Sequence, residues 1–227
     1  MKSSLVVLSG GLDSAVLLHD LAKKQRGALR AIYFDIGYLS SVPEKNAAKM
    51  FCYQLGVPLE IVDVRGIFGM VSGFVPIEFL GLGELDKGQP TPIPASADSE
   101  DKEYVSGFHV ILGLASYYAM LGKIEEMHIG IIKEQIKYSK GLKKFLAGWS
   151  PLIENLNPHR VFSLSAPFSG KAKSEVIQLG ESLSVDLSRT WSCYRSGPLH
   201  CGTCNGCKSR IAAFKDVKLK DPTKYAV

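Results

Sequence analysis

Apolar and polar positions alternate along the first third of the chain in a strand–helix pattern. Short apolar runs predict buried strands, and the longer segments between them, with apolar residues at helical spacing, predict helices. The predicted strands are residues 5–8, 29–34 and 59–62, and the predicted helices are residues 14–25 and 43–55. Short apolar strands that alternate with helices are typical of a parallel sheet covered on both faces.

The pattern is interrupted between residues 64 and 102, where prolines, glycines and a closing acidic cluster predict a long loop. Long loops in compact domains serve as lids or binding loops, or are disordered. Regular structure resumes with helices at 105–121, 138–156 and from about residue 173, and with strands at 126–131 and 161–164. The whole pattern predicts an α/β fold: an open, mostly parallel sheet of about five strands with helices on both faces, as in Rossmann-like proteins.

Composition and charge restrict the class of protein further. A chain of 227 residues with 46% hydrophobic residues fits one large domain, or one domain with a small appendage. No stretch reaches 18 apolar residues and no signal peptide is recognisable, so we expect a cytoplasmic protein without a membrane span. The net charge of +5 is small and dispersed, and the basic C-terminal tail is more typical of a solvated face than of a direct nucleic-acid contact.

The sequence SGGLDS connects the first predicted strand to the first helix. A strand that leads through two glycines into a helix directs backbone N–H groups and the positive helix end at one point, which favours an anion, most often phosphate. Gly10 and Gly11 permit positive φ and close approach of a ligand, and Ser9 and Ser14 add hydroxyl groups. Asp13 is expected to cap the helix or to hold Mg²⁺ between phosphates. No lysine follows, so this is not a Walker loop, and the alternative is a tight turn without a ligand.

Lys173 is a second candidate for phosphate binding. It lies in APFSGKAKSEV, after a predicted strand and at a helix start, where an open sheet returns the chain to the same edge. Lys171 is an alternative, and a solvated lysine is the alternative for both.

Four of the five cysteines lie close together in WSCYRSGPLHCGTCNGC. These candidate ligands, spaced C-x7-C-x2-C-x2-C, are Cys193, Cys201, Cys204 and Cys207. In a reducing compartment this spacing favours a metal over disulfides, and four thiolates favour a structural zinc ion. An iron–sulfur cluster and unligated cysteines are the alternatives, and Cys52 is interpreted as a buried structural thiol. We therefore expect residues 1–189 to form a nucleotide-binding domain and residues 190–227 a zinc-binding segment packed on it.

SGGLDS resembles the PP-loop, S-G-G-x-D-S, of the N-type ATP pyrophosphatase superfamily, which has the adenine nucleotide alpha hydrolase-like fold. The C-terminal pattern T-W-S-C-Y…H-C-G-x-C-x-x-C-x-x-R-x-x-A-F is read here at residues 190–194 and 200–207, then at Arg210, Ala213 and Phe214. With both motifs, and with YFDIG after the second strand, the chain resembles the 7-cyano-7-deazaguanine synthase (QueC) family over nearly its whole length.

The resemblance implies an ATP-dependent ligase. The family uses ATP to adenylate the carboxylate of 7-carboxy-7-deazaguanine, ammonia displaces AMP to give an amide, and a second ATP converts the amide into the nitrile for queuosine-type tRNA modification. It implies ATP with Mg²⁺, one structural zinc ion and a homodimer. The implied ATP-binding residues are Ser9, Gly10, Gly11, Leu12, Asp13, Ser14, Asp35 and Lys173, with Asp13 and Lys173 also catalytic.

Two segments depart from the family pattern. The family's F-V-P-G-R-N is YVSGFH at 104–109, so that Phe108 and His109 replace Arg and Asn, and its D-x-S-G-Y-P-D stretch is KEQIKYSKG at 133–141. Both segments help form the family's substrate pocket. The candidate substrate-binding residues here are Ser106, Gly107, Phe108 and His109. Phe108 could stack on a flat base and His109 could transfer protons as a catalytic residue; packing and capping at a helix start are the alternatives.

The ATP half of the family pattern is thus retained and the acceptor half is altered. This resembles divergent QueC-like proteins of antiviral defence systems, in which a protein amine replaces ammonia and the reaction stops at an amide. Ordinary nitrile synthesis is the alternative, and a non-catalytic ATP-sensing module is an alternative of another class.

Overall fold

The structure, a computed structural model, describes residues 2–24, 28–67, 108–138 and 141–227. Five strands form one sheet in which every neighbouring pair is parallel. The strands are β1 (Ser4–Val7), β2 (Leu29–Asp35), β3 (Leu59–Asp63), β4 (Glu126–Ile129) and β5 (Ser163–Ser165). Their order is β3-β2-β1-β4-β5, which confirms the predicted parallel α/β sheet.

Seven helices and a short 3₁₀ turn (Leu187–Arg189) are described in these ranges. The helices are α1 (Leu12–Lys24), α2 (Ser41–Leu55), α3 (Phe108–Leu121), α4 (Lys133–Tyr138), α5 (Leu142–Leu156), α6 (Lys173–Ser182) and α7 (Asn205–Asp216). Among the described helices, none has the length and apolar character needed to cross a membrane.

Alternate side chains of the central strands enter two separate cores. Val6 and Tyr33 face the cluster formed with α1, α2 and α6, whereas Leu5 and Ile32 face the cluster formed with α3 and α5. Both faces of the sheet are therefore covered, which explains why the central strands β1 and β2 have consecutive apolar residues instead of alternating apolar and polar ones.

The strand order places a topological switch point at the centre of the sheet. From β1 the chain adds β2 and β3 on one side and then crosses to add β4 and β5 on the other. In open α/β sheets, ligands bind outside the carboxyl ends of the strands at such a point. SGGLDS follows β1 and therefore lies at this position.

Several elements differ from the sequence-based predictions, among them the predicted strand 126–131, which ends at Ile129. The predicted helix 138–156 begins later, at Leu142 with Gly141 as its N-terminal cap, and Tyr138 is the last residue of the separate helix α4. The predicted strand 161–164 is shifted to Ser163–Ser165, the residues that pair with β4, and Val161 is 68% exposed. Helix α7 was not predicted, because its cysteines and glycine obscure the helical pattern.

The predicted loop 64–102 falls mostly outside the described residues. Its first residue, Val64, is buried and donates its N–H to the Asp35 carbonyl, and a helical turn follows at 65–67. Residues 68–107, and with them the start of the predicted helix 105–121, lie outside the described ranges.

Candidate nucleotide site and metal centre

The two serines of SGGLDS stabilise the loop from within. The Ser14 hydroxyl donates to the Gly11 carbonyl (3.0 Å), and its oxygen accepts the Ser9 N–H (3.2 Å). The two hydroxyl oxygens, Ser9 Oγ and Ser14 Oγ, are 3.0 Å apart, and Ser9 Oγ accepts the N–H of Gly11 (3.3 Å). The loop therefore has a defined shape before any ligand binds.

Gly10 occupies a position that a side chain would not fit. Its φ is +75°, and a Cβ atom here would overlap the carbonyl oxygen of Glu44 in the first turn of α2. On the other side, the Gly10 carbonyl accepts the Trp191 N–H at 3.0 Å. Leu12 follows with its side chain fully buried in the core, so only its backbone can face a ligand.

An ion pair joins the loop to α6. Lys173 Nζ lies 3.0 Å from Asp13 Oδ2, and both side chains are largely buried. Lys171, the alternative lysine, lies in the preceding turn, where its carbonyl accepts the Lys133 N–H at 2.9 Å. The structure thus brings Lys173 to SGGLDS, called the phosphate loop below after its predicted ligand, at the edge where the sheet topology placed it.

The second carboxylate oxygen of Asp13 is suited to bind a cation. Asp13 Oδ1 is buried and has no hydrogen-bond partner among the described residues. A buried carboxylate oxygen without a partner is costly, and it is a ligand type that Mg²⁺ prefers. Asp13 therefore satisfies the condition for holding Mg²⁺ beside phosphates.

Glu134 is a site residue that the sequence analysis did not identify. Its Oε1 accepts the backbone N–H of Lys173 at 3.0 Å, while its Oε2 is buried and has no partner among the residues described. A carboxylate at a helix N-terminus is favoured by the helix dipole. The signal available in the sequence was its place just after β4, at the same sheet edge as SGGLDS.

Asp35 lies at the end of β2. Its Oδ2 accepts from Lys45 Nζ (2.9 Å) and its Oδ1 from the Gly37 N–H (3.1 Å). Burial of Asp35 opposes ionisation, but the hydrogen bonds from Lys45 and Gly37 outweigh it and hold the pKa below its usual value. Asp35 is therefore an ionised carboxylate whose oxygens are already engaged, and Lys45 is a further cation at this edge.

Glu44 is the titratable group next to Gly10. Part of the residue is exposed, but burial of its carboxyl group raises the pKa to about 7, against a hydrogen bond from Ser40 that lowers it. The nearby carboxylate of Asp35 raises the pKa further. This carboxyl group therefore titrates close to neutral pH.

The four predicted metal ligands converge. Their Sγ atoms all lie within 4.8 Å of one another, with 3.9 Å between Cys201 and Cys207 and 4.0 Å between Cys193 and Cys204. Thiolates at 2.3 Å around one tetrahedral zinc ion would be about 3.8 Å apart. The spacing fits a single shared ion; in an iron–sulfur cluster the cysteines bind different irons and are held further apart.

Backbone N–H groups surround these sulfur atoms. Cys193 Sγ accepts from the N–H groups of Arg195 (3.4 Å) and Cys201 (3.3 Å). His200 does not join the ligand set: its Nε2 accepts the Ser192 N–H at 3.0 Å. Burial, and secondarily the charge of Arg210, lower the pKa of His200 to about 4, which keeps the ring neutral and Nε2 able to accept.

The predicted substrate-binding residues are only partly described. Ser106 and Gly107 lie outside the described residues. Phe108 begins α3 and packs against Phe145, with ring centroids 6.3 Å apart, and His109 beside it is exposed. The packing of Phe108 matches the alternative stated for it, and the substrate role of both residues stays a prediction.

Comparison with known proteins decides the family. Residues 3–218 match the family model described as "Queuosine biosynthesis protein QueC". The chain belongs to the QueC family. The matched range includes both the SGGLDS loop and the cysteine cluster.

Relatives of this QueC-family chain match it from end to end. The 7-cyano-7-deazaguanine synthase of Caldicellulosiruptor saccharolyticus is 32% identical, over 99% of this chain and 96% of its own length. The same-named proteins of Desulfotalea psychrophila and Methanocaldococcus jannaschii are 30% and 31% identical, over 100% and 98% of this chain and of their own lengths. Among solved structures, the U34-tRNA thiolase NcsA of Methanococcus maripaludis with its [4Fe-4S] cluster is similar, with a TM-score of 0.52 at 16% identity over 95% of this chain and 67% of that one. That likeness shows the fold alone.

Proposed function

We propose that this chain is an ATP-dependent enzyme that adenylates the carboxylate of 7-carboxy-7-deazaguanine, releases pyrophosphate and replaces AMP by a nitrogen nucleophile. The observation that carries the proposal is the SGGLDS loop at the switch point of the sheet, with Lys173 paired to Asp13. Full-length relatives named 7-cyano-7-deazaguanine synthase support deazaguanine chemistry, and the acid is the substrate that the family resemblance implies.

The leaving group explains why these residues are needed. In adenylation the bond between the α and β phosphates breaks, so negative charge grows on the departing pyrophosphate. Backbone N–H groups of the loop and the ammonium group of Lys173, fixed before the reaction, would stabilise that charge. Asp13 would hold Mg²⁺, which neutralises phosphate charge when bound.

For the nucleophile, we propose a protein amine that yields a deazaguanine amide. The support is the altered acceptor half: KEQIKY forms helix α4, and Glu134 in it contacts the backbone of Lys173, where the family's D-x-S-G-Y-P-D stretch is expected. A protein amine as nucleophile limits the reaction to the amide. A nitrile nitrogen carries no other substituent, so an amide whose nitrogen is attached to a protein cannot be dehydrated to a nitrile.

The alternative nucleophile is ammonia, followed by a second adenylation that gives the free nitrile. The end-to-end similarity to proteins named as synthases favours this alternative. The alternative of another class is a non-catalytic ATP-sensing module. The largely buried Asp13–Lys173 pair argues against it, because a module without turnover does not need to stabilise a leaving group.

The experiment that tests the proposal counts AMP. The purified protein is incubated with Mg-ATP, the acid and ammonium ions, and AMP and deazaguanine products are measured by mass spectrometry. Acid-dependent AMP supports the enzyme, with two AMP per nitrile for ordinary synthesis and one AMP per product for the amide route. No acid-dependent AMP would refute the proposed substrate and favour the sensor.

We propose a structural zinc ion at the four cysteines, a division of the chain near residue 189, a homodimer, a cytoplasmic location and no direct contact with nucleic acid. Native mass spectrometry of the purified protein would test the zinc ion and the dimer together.

A further inference from the structure

The geometry points to Arg210 as a positioning residue for the phosphate loop. We propose that Arg210 and Gly206, one turn apart on α7, fix residues 187–192 so that the Trp191 N–H holds the carbonyl of Gly10. The inference rests on the proposed ATP site for its functional meaning, but not for its structural test.

Arg210 is fully buried, so its charge needs an opposite charge nearby and its N–H groups need hydrogen-bond acceptors. Its Nε donates to Asp221 Oδ1 at 3.1 Å, which balances the charge. The other two nitrogens bond to the 187–192 segment: Nη1 donates to Thr190 Oγ1 (2.6 Å) and Nη2 donates to the Leu187 carbonyl (2.8 Å). One planar guanidinium thus joins α7, the C-terminal tail and the segment before the cysteines, which a lysine could not do.

Gly206 adds a second contact on the same face of α7. Residues four apart on a helix share a face, and Gly206 is four before Arg210. A Cβ atom at Gly206 would overlap the carbonyl oxygen of Ser192, so helix and segment approach as closely as backbones can. The Ser192 N–H is in turn bonded to His200 Nε2.

Trp191 carries the contact to the phosphate loop. It lies between Thr190 and Ser192, the two residues held by α7, and its N–H donates to the Gly10 carbonyl at 3.0 Å. Gly10 has the first turn of α2 on its other side, where Glu44 leaves no room for a side chain. The left-handed conformation of Gly10 is therefore fixed from both sides, and one side depends on Arg210.

The cysteine cluster belongs to the same unit. Cys193 follows Ser192 directly, and Cys204 and Cys207 flank Gly206. A metal ion bound by these thiolates would hold the start of α7 against Ser192. We therefore expect an ordered metal centre and an ordered phosphate loop to depend on each other, although no metal ligand lies in the loop.

The test substitutes Thr190, because its hydroxyl joins Arg210 to the segment without touching the Trp191–Gly10 bond. Thr190→Val removes the hydroxyl at nearly constant shape, and Thr190→Ser keeps it. Thr223→Val is the matched control, since the buried Thr223 hydroxyl has no hydrogen-bond partner among the described residues. Arg210→Lys is the stronger variant.

Hydrogen exchange measured by mass spectrometry on the peptide that covers residues 9–14 gives the decisive reading. A lost hydrogen bond from a charged group predicts roughly tenfold faster exchange of this peptide in Thr190→Val, with wild-type exchange in Thr190→Ser and Thr223→Val. Arg210→Lys, or removal of the metal by a chelator from the wild-type protein, should have at least the same effect.

An unchanged exchange rate at residues 9–14 in Thr190→Val, with faster exchange only at 187–192, would overturn the inference. Binding of Mg-ATP, measured by calorimetry, separates it from the proposed function. If the wild-type protein binds no ATP, the proposed ATP site is refuted. The exchange result then still decides whether Arg210 positions the phosphate loop. If the wild type binds, we expect about tenfold weaker binding in Thr190→Val and wild-type binding in Thr190→Ser.

Discussion

Lys173 and Asp13 are 160 positions apart in the chain and 3.0 Å apart in the structure. The sequence predicted Lys173 from its place after a strand and at a helix start, but Lys171 met the same description. The choice depends on three-dimensional contacts: the Lys173 N–H is bonded to Glu134, and its side chain then reaches Asp13.

Substitution of the two lysines should give different results. Lys173→Met removes the ammonium group from the proposed phosphate site, and we expect Mg-ATP affinity to fall roughly tenfold to a hundredfold, as for a charge-assisted hydrogen bond. Lys171→Met is the matched control and should bind ATP as the wild type does. Equal effects in calorimetric titrations of both variants would contradict the assignment of Lys173.

Gly10 permits a second test at the residue scale. Gly10→Ala suffers both a positive φ of 75° and the overlap with Glu44, whereas Gly56→Ala has a φ of 64° with nothing within 4 Å of the added Cβ. The control should lose about 1–2 kcal/mol of unfolding free energy from the left-handed conformation alone. We expect Gly10→Ala to lose more and also to lose ATP binding, as measured by denaturant unfolding and calorimetry. Equal losses of unfolding free energy in the two variants would show that the overlap with Glu44 adds nothing to the cost of Gly10→Ala.

At the scale of the element, the first turn of α2 connects the phosphate loop to a titratable group. Burial raises the pKa of Glu44 to about 7 in the folded state, against an ordinary value of 4.5. The folded protein therefore binds this proton more tightly than the unfolded chain, so Glu44 reduces stability progressively as pH rises from about 4.5 to 7.

Glu44→Gln should remove this pH dependence. Its thermal midpoint should equal or barely exceed that of the wild type at pH 5 and exceed it clearly at pH 8, at about 2–4 °C for each kcal/mol in a domain of this size. Other titrating groups are common to both proteins, so the difference between the two midpoints isolates Glu44. A difference that stays constant from pH 5 to pH 8 would contradict the raised pKa.

The elements show where sequence patterns are sufficient. Strands β1 and β2 were predicted because a buried parallel strand needs a short apolar run, a requirement visible locally. The break between α4 and α5 and the existence of α7 were missed, because a glycine cap and a cysteine-rich helix start lack a clear apolar period. The bonds from Trp191 to Gly10 and from Arg210 to Thr190 leave no local pattern, since they join segments far apart in the chain.

At the scale of the whole molecule, helix α7 connects the cysteine cluster to the rest of the domain. The convergence of the four cysteines was predictable, because C-x2-C spacing has a direct geometric meaning, and the four Sγ atoms lie close together. The acceptor side was not, because its pocket depends on segments whose residues differ from the family pattern.

Metal binding should require the four clustered cysteines and should not require Cys52. Cys204→Ser is expected to lower bound zinc from one per chain to near zero and to lower the thermal midpoint, because metal binding stabilises its segment by as much as about 10 kcal/mol. Cys52→Ala, a substitution in the apolar core, should lose stability yet retain one zinc per chain by elemental analysis. Loss of zinc in Cys52→Ala, or full zinc in Cys204→Ser, would refute the predicted ligand set.

The most direct test of the central claim follows oxygen atoms from the acid. The protein is incubated with Mg-ATP, ammonium ions and 7-carboxy-7-deazaguanine labelled with ¹⁸O in its carboxylate, and the AMP released is weighed by mass spectrometry. Adenylation joins a carboxylate oxygen to the α phosphate, so the account predicts AMP that carries one ¹⁸O atom. Unlabelled AMP, or ADP and phosphate in place of AMP and pyrophosphate, would contradict it.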